Sequence, residues 1–332
     1  MQALQAYRLR LRRKRFRMRA FRKRRELTCV SNNLRDVTGR DVLLFASMRN
    51  ESVRLPFFLR YYRRLGVGHF LLVDNGSDDD TAAYLRGQSD VTLWQTNNSY
   101  RRSRYGADWL NWLKWRHGHG HWCLTVDTDE FLVYPHSDTR PLRALADWLD
   151  ASSIRSFGTA LIDMYPRSSD AVYRAGDDPF ETSCWFDTGN YQISRNEIFG
   201  YLWIQGGPRA RTFFAQTPAQ SPALNKIPLV KWHRRYVYAS STHMLLPRGL
   251  NRVYDEWGGE KTSGCLLHAK FIDTFEDRAR EEAQRKEHYA SAREYAAYKA
   301  PTQPVLWNEW SEKYMNWRQL ETLGLMYSGN WA

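Results

Sequence analysis

DVLLFASM (41–48), HFLLV (69–73), VTLW (91–94) and WCLTV (122–126) are the runs that decide the fold. Each is short and almost wholly apolar, as expected of a strand buried on both faces. Between the first two, Phe57, Phe58, Tyr61, Tyr62 and Leu65 recur at helical spacing, with Pro56 suited to a first turn and Gly66 to a stop. Ser77 followed by Asp78, Asp79 and Asp80 reads as a helix cap with acids at the positive end. Residues 106–117 predict a third helix. Strand and helix alternating four times imply an α/β fold, a Rossmann-like mostly parallel sheet with flanking helices. Ligands of such sheets sit beyond the carboxyl ends of the strands, so the polar residues that follow those ends carry the information.

Outward from this core the pattern changes. After about residue 150 the alternation weakens. Residues 157–245 read as strands and aromatic loops with a Gly/Pro-rich stretch at 205–222, residues 274–298 as a long polar helix, and the end as a Trp-rich tail. The expected organisation is a basic arm (1–40), a first half (41–150), a mixed β/loop half (151–273) and a helix with tail (274–332). The chain of 332 residues carries 49 Lys and Arg against 36 Asp and Glu, a formal +13. Twelve of those cations and no acid fall within residues 1–25, so the remainder is left near neutral at +1. That distribution excludes a protein coated for nucleic acid throughout, and no specific nucleic-acid partner is expected. With 42% apolar and 14% aromatic residues the chain is not generally disordered.

The arm interleaves its arginines with Tyr7, Leu9, Leu11, Phe16, Met18 and Phe21. A basic amphipathic helix of this kind can lie on anionic lipid, so a membrane surface is the expected partner of residues 1–25. A polyanion contact and a merely solvated tail are the competing readings. No apolar run reaches the roughly 18 residues of a membrane span, and no apolar segment follows the charges as in a secretion signal. Cys29, Cys123, Cys184 and Cys265 are far apart, without CxxC spacing, which predicts free thiols and excludes a zinc site built on cysteine pairs. The expected location is cytoplasmic, peripheral to the inner face of a membrane.

The strongest chemical signal is Asp127-Thr128-Asp129-Glu130 directly after WCLTV. Three carboxylates in four residues at a buried strand end repel one another unless a cation or donors compensate. In an extended segment Asp127 and Asp129 share a face, and two hard oxygen ligands suit Mg²⁺ or Mn²⁺ held jointly with phosphates. Asp74, at the end of the second strand, can accept from a base N–H or a ribose hydroxyl, while Asn75 and Gly76 make the turn and leave Asp74 free. Arg49, Asn50 and Glu51 follow the first strand.

Together, RNE after strand one, RRLGVGHFLLVDNGSDDDT and VDTDEFL resemble a GT-A-fold glycosyltransferase of the family-2 kind, in the branch similar to family 92. GGPRAR (206–211), NKIPLVKW (225–232), SSTH (240–243) and GCLLHAKF (264–271) are similar to later segments of that branch, and the likeness covers roughly residues 41–298. It implies the nucleotide-diphospho-sugar transferase fold, with donor binding in 41–150 and acceptor binding and catalysis in 151–273. The metal-binding DxD falls on Asp127 and Asp129, with Asp129 the direct ligand to Mn²⁺ or Mg²⁺ and Asp127 nearer the ribose or a metal water. Asp74 matches the acid that holds the nucleoside, beside Asn75, and Arg49, Asn50 and Glu51 line the same pocket. A third metal ligand is implied late in the chain. His268 is the choice, with His243 the runner-up and otherwise a contact to acceptor or phosphate. Lys226, Arg209 and Arg211 are candidates to neutralise the diphosphate or a phosphorylated acceptor. Inversion is implied, which needs a carboxylate base. Asp187 is the candidate, with Asp163, Glu197, Asp255 and Glu256 open.

The expected activity is therefore transfer of a sugar from a nucleotide-diphosphate donor to a glycan or lipid-linked acceptor, in surface polysaccharide synthesis. Two alternatives stay open: an inert nucleotide-sugar or glycan-binding module tethered to membrane, and a metal-dependent phosphohydrolase. A nicotinamide-dependent oxidoreductase fails on its fingerprint, because Gly66-Val67-Gly68 precedes a strand and lacks the third glycine.

Overall fold

A computed structural model describes residues 2–168, 172–254, 261–272 and 305–331. Helix α1 (Gln2–Lys23) is followed by β1 (Thr28–Ser31), β2 (Val42–Met48), α2 (Leu55–Leu65), β3 (His69–Asp74), α3 (Thr81–Arg86), β4 (Val91–Gln95), α4 (Ala107–His117) and β5 (Trp122–Thr125). Then come β6 (Glu130–Val133), α5 (Leu142–Ala151), β7 (Ser156–Asp163), α6 (Pro179–Thr182), β8 (Trp185–Asp187), β9 (Tyr191–Asn196) and β10 (Tyr201–Gly206). The described chain continues through α7 (Gly207–Phe213), β11 (Asn225–Lys231), β12 (Val237–Ser240), β13 (Met244–Leu246), β14 (Gly264–His268), β15 (Ser311–Lys313) and α8 (Trp317–Thr322).

Nine strands form one sheet in the order β1-β4-β3-β2-β5-β11-β7-β14-β6. β2, β3, β4, β5, β7 and β14 run one way, and β1, β11 and β6 run against them. The fold is thus mixed α/β, with a large, mostly parallel central sheet and flanking helices. The two halves expected from the sequence share this sheet, since β6, from the first half, lies at the far edge beside β14.

The apolar runs are continuous because both faces are covered. Along β2, Val42, Leu44, Ala46 and Met48 enter one core with Phe57, Phe58 and Tyr62 of α2 and Leu142, Leu145 and Leu149 of α5. The alternate Leu43 and Phe45 enter a second core with Trp109 and Leu113 of α4 and Trp232. Gly66 ends α2 at φ +94°, where its amide donates to the carbonyls of Arg63 and Tyr62. The Trp-rich tail belongs to the first core: Trp317, Leu320, Met326 and Trp331 are buried there, and β15 pairs with β8.

Three expectations need correction. Helix α3 is preceded by Asp80, without a side-chain cap, because Ser77 is used elsewhere. Asp127–Glu130 is a turn rather than an extended segment, closed by the Glu130 amide donating to the Asp127 carbonyl at 3.1 Å. The basic arm is a helix packed on the body. Its Leu9 lies with Val237, Ala239 and Met244, and its Arg19 meets the fully buried Asp108 at 3.0 Å. The helix expected at 274–298 lies outside the described residues.

Candidate active site

The sheet topology collects the charged residues at one edge. β2 is flanked on one side by β3 and β4 and on the other by β5, so the strand order reverses there and opens a crevice beyond the carboxyl ends of β2 and β5. The carboxyl ends of β5, β7 and β14 deliver Asp127, Asp163 and His268 to this edge. The antiparallel β11 and β6 start there, with Lys226 and Glu130.

Register fixes the central contacts. His268 lies opposite Asp163 in the parallel β14–β7 pair and opposite Glu130 in the antiparallel β14–β6 pair. The amide of Ala269 donates to the Asp129 carbonyl at 2.8 Å and holds the acidic turn over the end of β14. His268 Nδ1 then sits 2.7 Å from Asp163 Oδ1, and His268 Nε2 is 3.3 Å from Asp129 Oδ2. Arg209 completes the chain by donating from Nε to Asp163 Oδ2 at 2.7 Å. Asp163 and His268 are buried, whereas the Asp129 side chain keeps 21% of its surface.

A second group lies alongside. Lys226 Nζ is 2.7 Å from Glu130 and 3.8 Å from Asp127 Oδ2, and Glu130 accepts from the Asp127 amide at 3.2 Å. Lys226 and Glu130 are buried, but the Asp127 side chain is 54% exposed.

Charge on these groups follows from burial against pairing. Desolvation opposes the His268 cation, yet Asp129 and Asp163 outweigh it and raise its pKa. Desolvation likewise opposes the Asp129 anion, but the His268 charge and hydrogen bond hold it well below the usual carboxylate range. Asp163 is lowered against desolvation by Arg209 and then His268. Lys226 is raised against desolvation by Glu130 and Asp127. Asp127 is pushed up by desolvation first and by Glu130 next, to about 7, with solvent at its exposed half screening part of that rise.

Of the expected metal ligands, Asp129 and His268 are brought together, while Asp127 leans towards Lys226. Among the described residues no three His, Cys, Asp or Glu side chains gather as a metal site. The two that do meet fit a hard divalent ion that takes its remaining positions from phosphate and water. Cis ligands at about 2.1 Å lie roughly 3 Å apart, close to the 3.3 Å between Asp129 Oδ2 and His268 Nε2. The carboxylate on the far nitrogen of His268 is the partner that fixes such an imidazole as a metal ligand. His268 Nε2 is the ring nitrogen left facing Asp129.

Other expected roles are corrected. The Asp187 carboxylate accepts from Arg211 Nε at 2.7 Å and Nη2 at 2.9 Å and from the Tyr165 hydroxyl, and it is buried. Three donors thus engage it within the protein. The same pairing engages the Arg211 fork. Arg209, the other arginine expected near the diphosphate, is buried and pairs with Asp163. Asp74 is not free: its carboxylate is fully buried and accepts from the Ser77 amide and hydroxyl and from Gln95 Nε2 at 3.0 Å.

Arg49 donates to the carbonyls of Asn75 and Gly76 and pairs with Asp78 at 3.1 Å. Asn50 accepts from the Asp78 amide at 3.1 Å, and the Glu51 amide donates to Thr81 Oγ1 at 2.7 Å. Asn75 Nδ2 donates to the carbonyls of Thr96 and Asn98, both at 3.0 Å. These side chains therefore stitch together the loops after β2, β3 and β4. Gly76 is required there, at φ +68° and with the Asn97 side chain 2.6 Å from where a Cβ would stand.

His243 Nδ1 contacts the Asn225 carbonyl at 2.7 Å, next to Lys226 rather than in the Asp129 group. Glu197 is exposed and 3.7 Å from Arg195, and Asp255 and Glu256 lie outside the described residues.

Sequence reasoning did not assign Glu130 and Arg54 to the site. Glu130 was visible inside DTDE. Arg54 is buried, 3.5 Å from Glu51 and 3.4 Å from the Ala269 carbonyl, and its charge lowers Asp129. Arg54 directly precedes α2, next to the buried Leu55. No family model matches this chain, and no curated protein matches it in sequence.

Proposed function

We propose that this chain is a metal-dependent glycosyltransferase of the GT-A kind, moving a sugar from a nucleotide-diphosphate donor to an acceptor hydroxyl. The observation that carries the reading is the linear array Arg209–Asp163–His268–Asp129, buried at one end and open at the other, at the carboxyl edge of a parallel sheet. The likeness in RNE, DNGSDDDT and DTDE supports it from the sequence.

Asp129 and His268 would hold Mn²⁺ or Mg²⁺. The bound ion supplies Lewis-acid neutralisation of the departing nucleoside diphosphate. Asp163 keeps the His268 proton on Nδ1, so that the Nε2 lone pair faces the site, and Arg209 pins Asp163 in turn. Lys226 balances Glu130 and Asp127, which keeps three acids tolerable within one turn. Asp74 acts by shaping the loop after β3, two inter-strand spacings or roughly 10 Å from the acidic turn; that span leaves room for a nucleoside between them.

Purified protein assayed against a panel of nucleotide sugars with Mn²⁺ is expected to release the nucleoside diphosphate from one donor and to lose that turnover on chelation. Cation-dependent donor binding with no transfer to any acceptor would assign the inert module instead. Release of inorganic phosphate from simple phosphomonoesters would assign the phosphohydrolase.

A further inference from the structure

We propose that α1 is a two-faced strap whose outward face docks on an anionic lipid bilayer. The two faces are read from burial. Leu9 and Ala20 are buried at 8% and 4%, and Phe16 packs in the same cluster with Phe199, Val237 and Met244. Leu4, Tyr7, Leu11 and Met18 are exposed at 57%, 55%, 45% and 55%. Their spacing of three, four and seven keeps them in one stripe of a helix turning about 100° per residue, diametrically opposite Leu9. Apolar side chains turned away from the body in this pattern are unexplained by packing.

Charge decides the occupant. Arg8, Arg15 and Arg22 line one edge of the stripe and Arg10 and Lys14 the other, all exposed, and α1 contains no acid. An apolar strip flanked by guanidinium groups matches a bilayer that offers acyl chains at its centre and phosphates at its border. A nucleic acid would satisfy the cations and leave the strip in water. A cavity of about 290 Å³ opens beside the strip between α1 and α4, lined by Met18, Phe21, Trp112 and Trp115 with Lys14 and Arg17. Its two tryptophans stack at 5.1 Å, and Trp is the side chain that settles at headgroup depth.

The inner face of α1 carries this contact towards the acidic edge. Its cluster includes β12 and β13; between those strands, the Thr242 carbonyl accepts from the Ile227 amide at 2.8 Å, next to Lys226 on β11. The inference stands without the proposed activity, because the surface is defined by exposure and charge alone.

Deleting residues 1–25 is a poor test, since it uncovers Val237 and leaves the buried Asp108 without Arg19. The test is flotation of the full chain with vesicles of mixed phosphatidylglycerol and phosphatidylcholine, beside vesicles of phosphatidylcholine alone. The wild type is expected on the anionic vesicles, less so at high salt. L4S/L11S/M18S is expected to partition about tenfold less, with its melting temperature and heparin retention unchanged. Leu9→Ser is expected to lower the melting temperature. Equal partition of the triple variant and the wild type overturns the proposal. So does absence of the wild type from anionic vesicles, including the case in which it binds RNA instead. Loss of vesicle binding by Leu9→Ser without loss of stability overturns it too, because α1 then meets lipid by its other face.

Discussion

Two of the buried acid–cation groups among the described residues end differently. In one, Asp187 takes both arms of the Arg211 fork and the Tyr165 hydroxyl, and Arg211 Nη2 continues to the Leu306 carbonyl. Every polar atom in that group points to another protein atom, and the result fastens the tail strand β15 against β8. In the other, Arg209, Asp163 and His268 pair in sequence, but the last member, Asp129, keeps an accessible carboxylate beside the half-exposed Asp127. A closed group is a staple, whereas a group that is anchored at one end and open at the other is preorganised to receive a ligand.

The largest effect that can break this comparison is on turnover. Asp129→Ala is expected to reduce cation-dependent diphosphate release by about 10²–10³-fold, the loss seen when transition-state charge is left unneutralised, while the folded state persists because His268 keeps Asp163. Activity at the wild-type level removes Asp129 from the mechanism. Asp163→Asn acts one step back. It is expected to weaken Mn²⁺ affinity by about 10–100-fold, with activity recovered at high Mn²⁺; a loss that metal does not rescue would assign Asp163 a direct role.

Asp187→Ala should behave in the opposite way. With the Arg211 side chain 23% exposed, the expected cost is about 2–3 kcal/mol of stability, below that of a fully buried broken pair. Turnover per folded molecule is expected to be unchanged. Denaturant melts combined with the diphosphate assay separate the two outcomes, and a stable but inactive variant would restore Asp187 as the base.

A smaller effect sharpens the contrast with a buried cation that has no acid partner. Lys114 is fully buried, donates to Thr125 Oγ1 at 2.9 Å and lies 4.3 Å from the Tyr238 ring centre. Desolvation lowers its pKa to about 7. Its folded value lies below the unfolded one, so the unfolded chain binds the extra proton from about pH 7 up to the ordinary lysine range. Stability therefore climbs with pH across that window. Lys114→Met is expected to flatten the climb and to raise stability below pH 7 by on the order of 1–3 kcal/mol. An unchanged pH slope would show that Lys114 stays charged.

Much of the fold was legible because burial on both faces leaves unbroken apolar runs, as in DVLLFASM and HFLLV. Gly66 and Pro56 then marked the ends of the helix between those two strands. The site was legible where a strand end and a charged residue coincide in sequence, as at Asp127–Glu130 and His268. It was obscured where function depends on register between distant strands. Asp163 ends the apolar FGTALID just as DTDE follows WCLTV, but only the β14–β7 pairing places it on His268, 105 residues away. Asp187 looked available because nothing in WFDTGNY announces Arg211. Asp74 looks free in sequence because Ser77 suits a helix cap, whereas the Ser77 amide and hydroxyl turn back onto the Asp74 carboxylate. In the arm, abundant arginine concealed that Leu9, Phe16 and Ala20 form a second, inward face.

Anomalous scattering from crystals grown with Mn²⁺ and a nucleoside diphosphate locates the divalent cation proposed between Asp129 and His268. A manganese peak is expected within bonding reach of Asp129 Oδ2 and His268 Nε2, with the diphosphate on its open side. A bound nucleotide with no peak there, or a peak coordinated elsewhere, would contradict it.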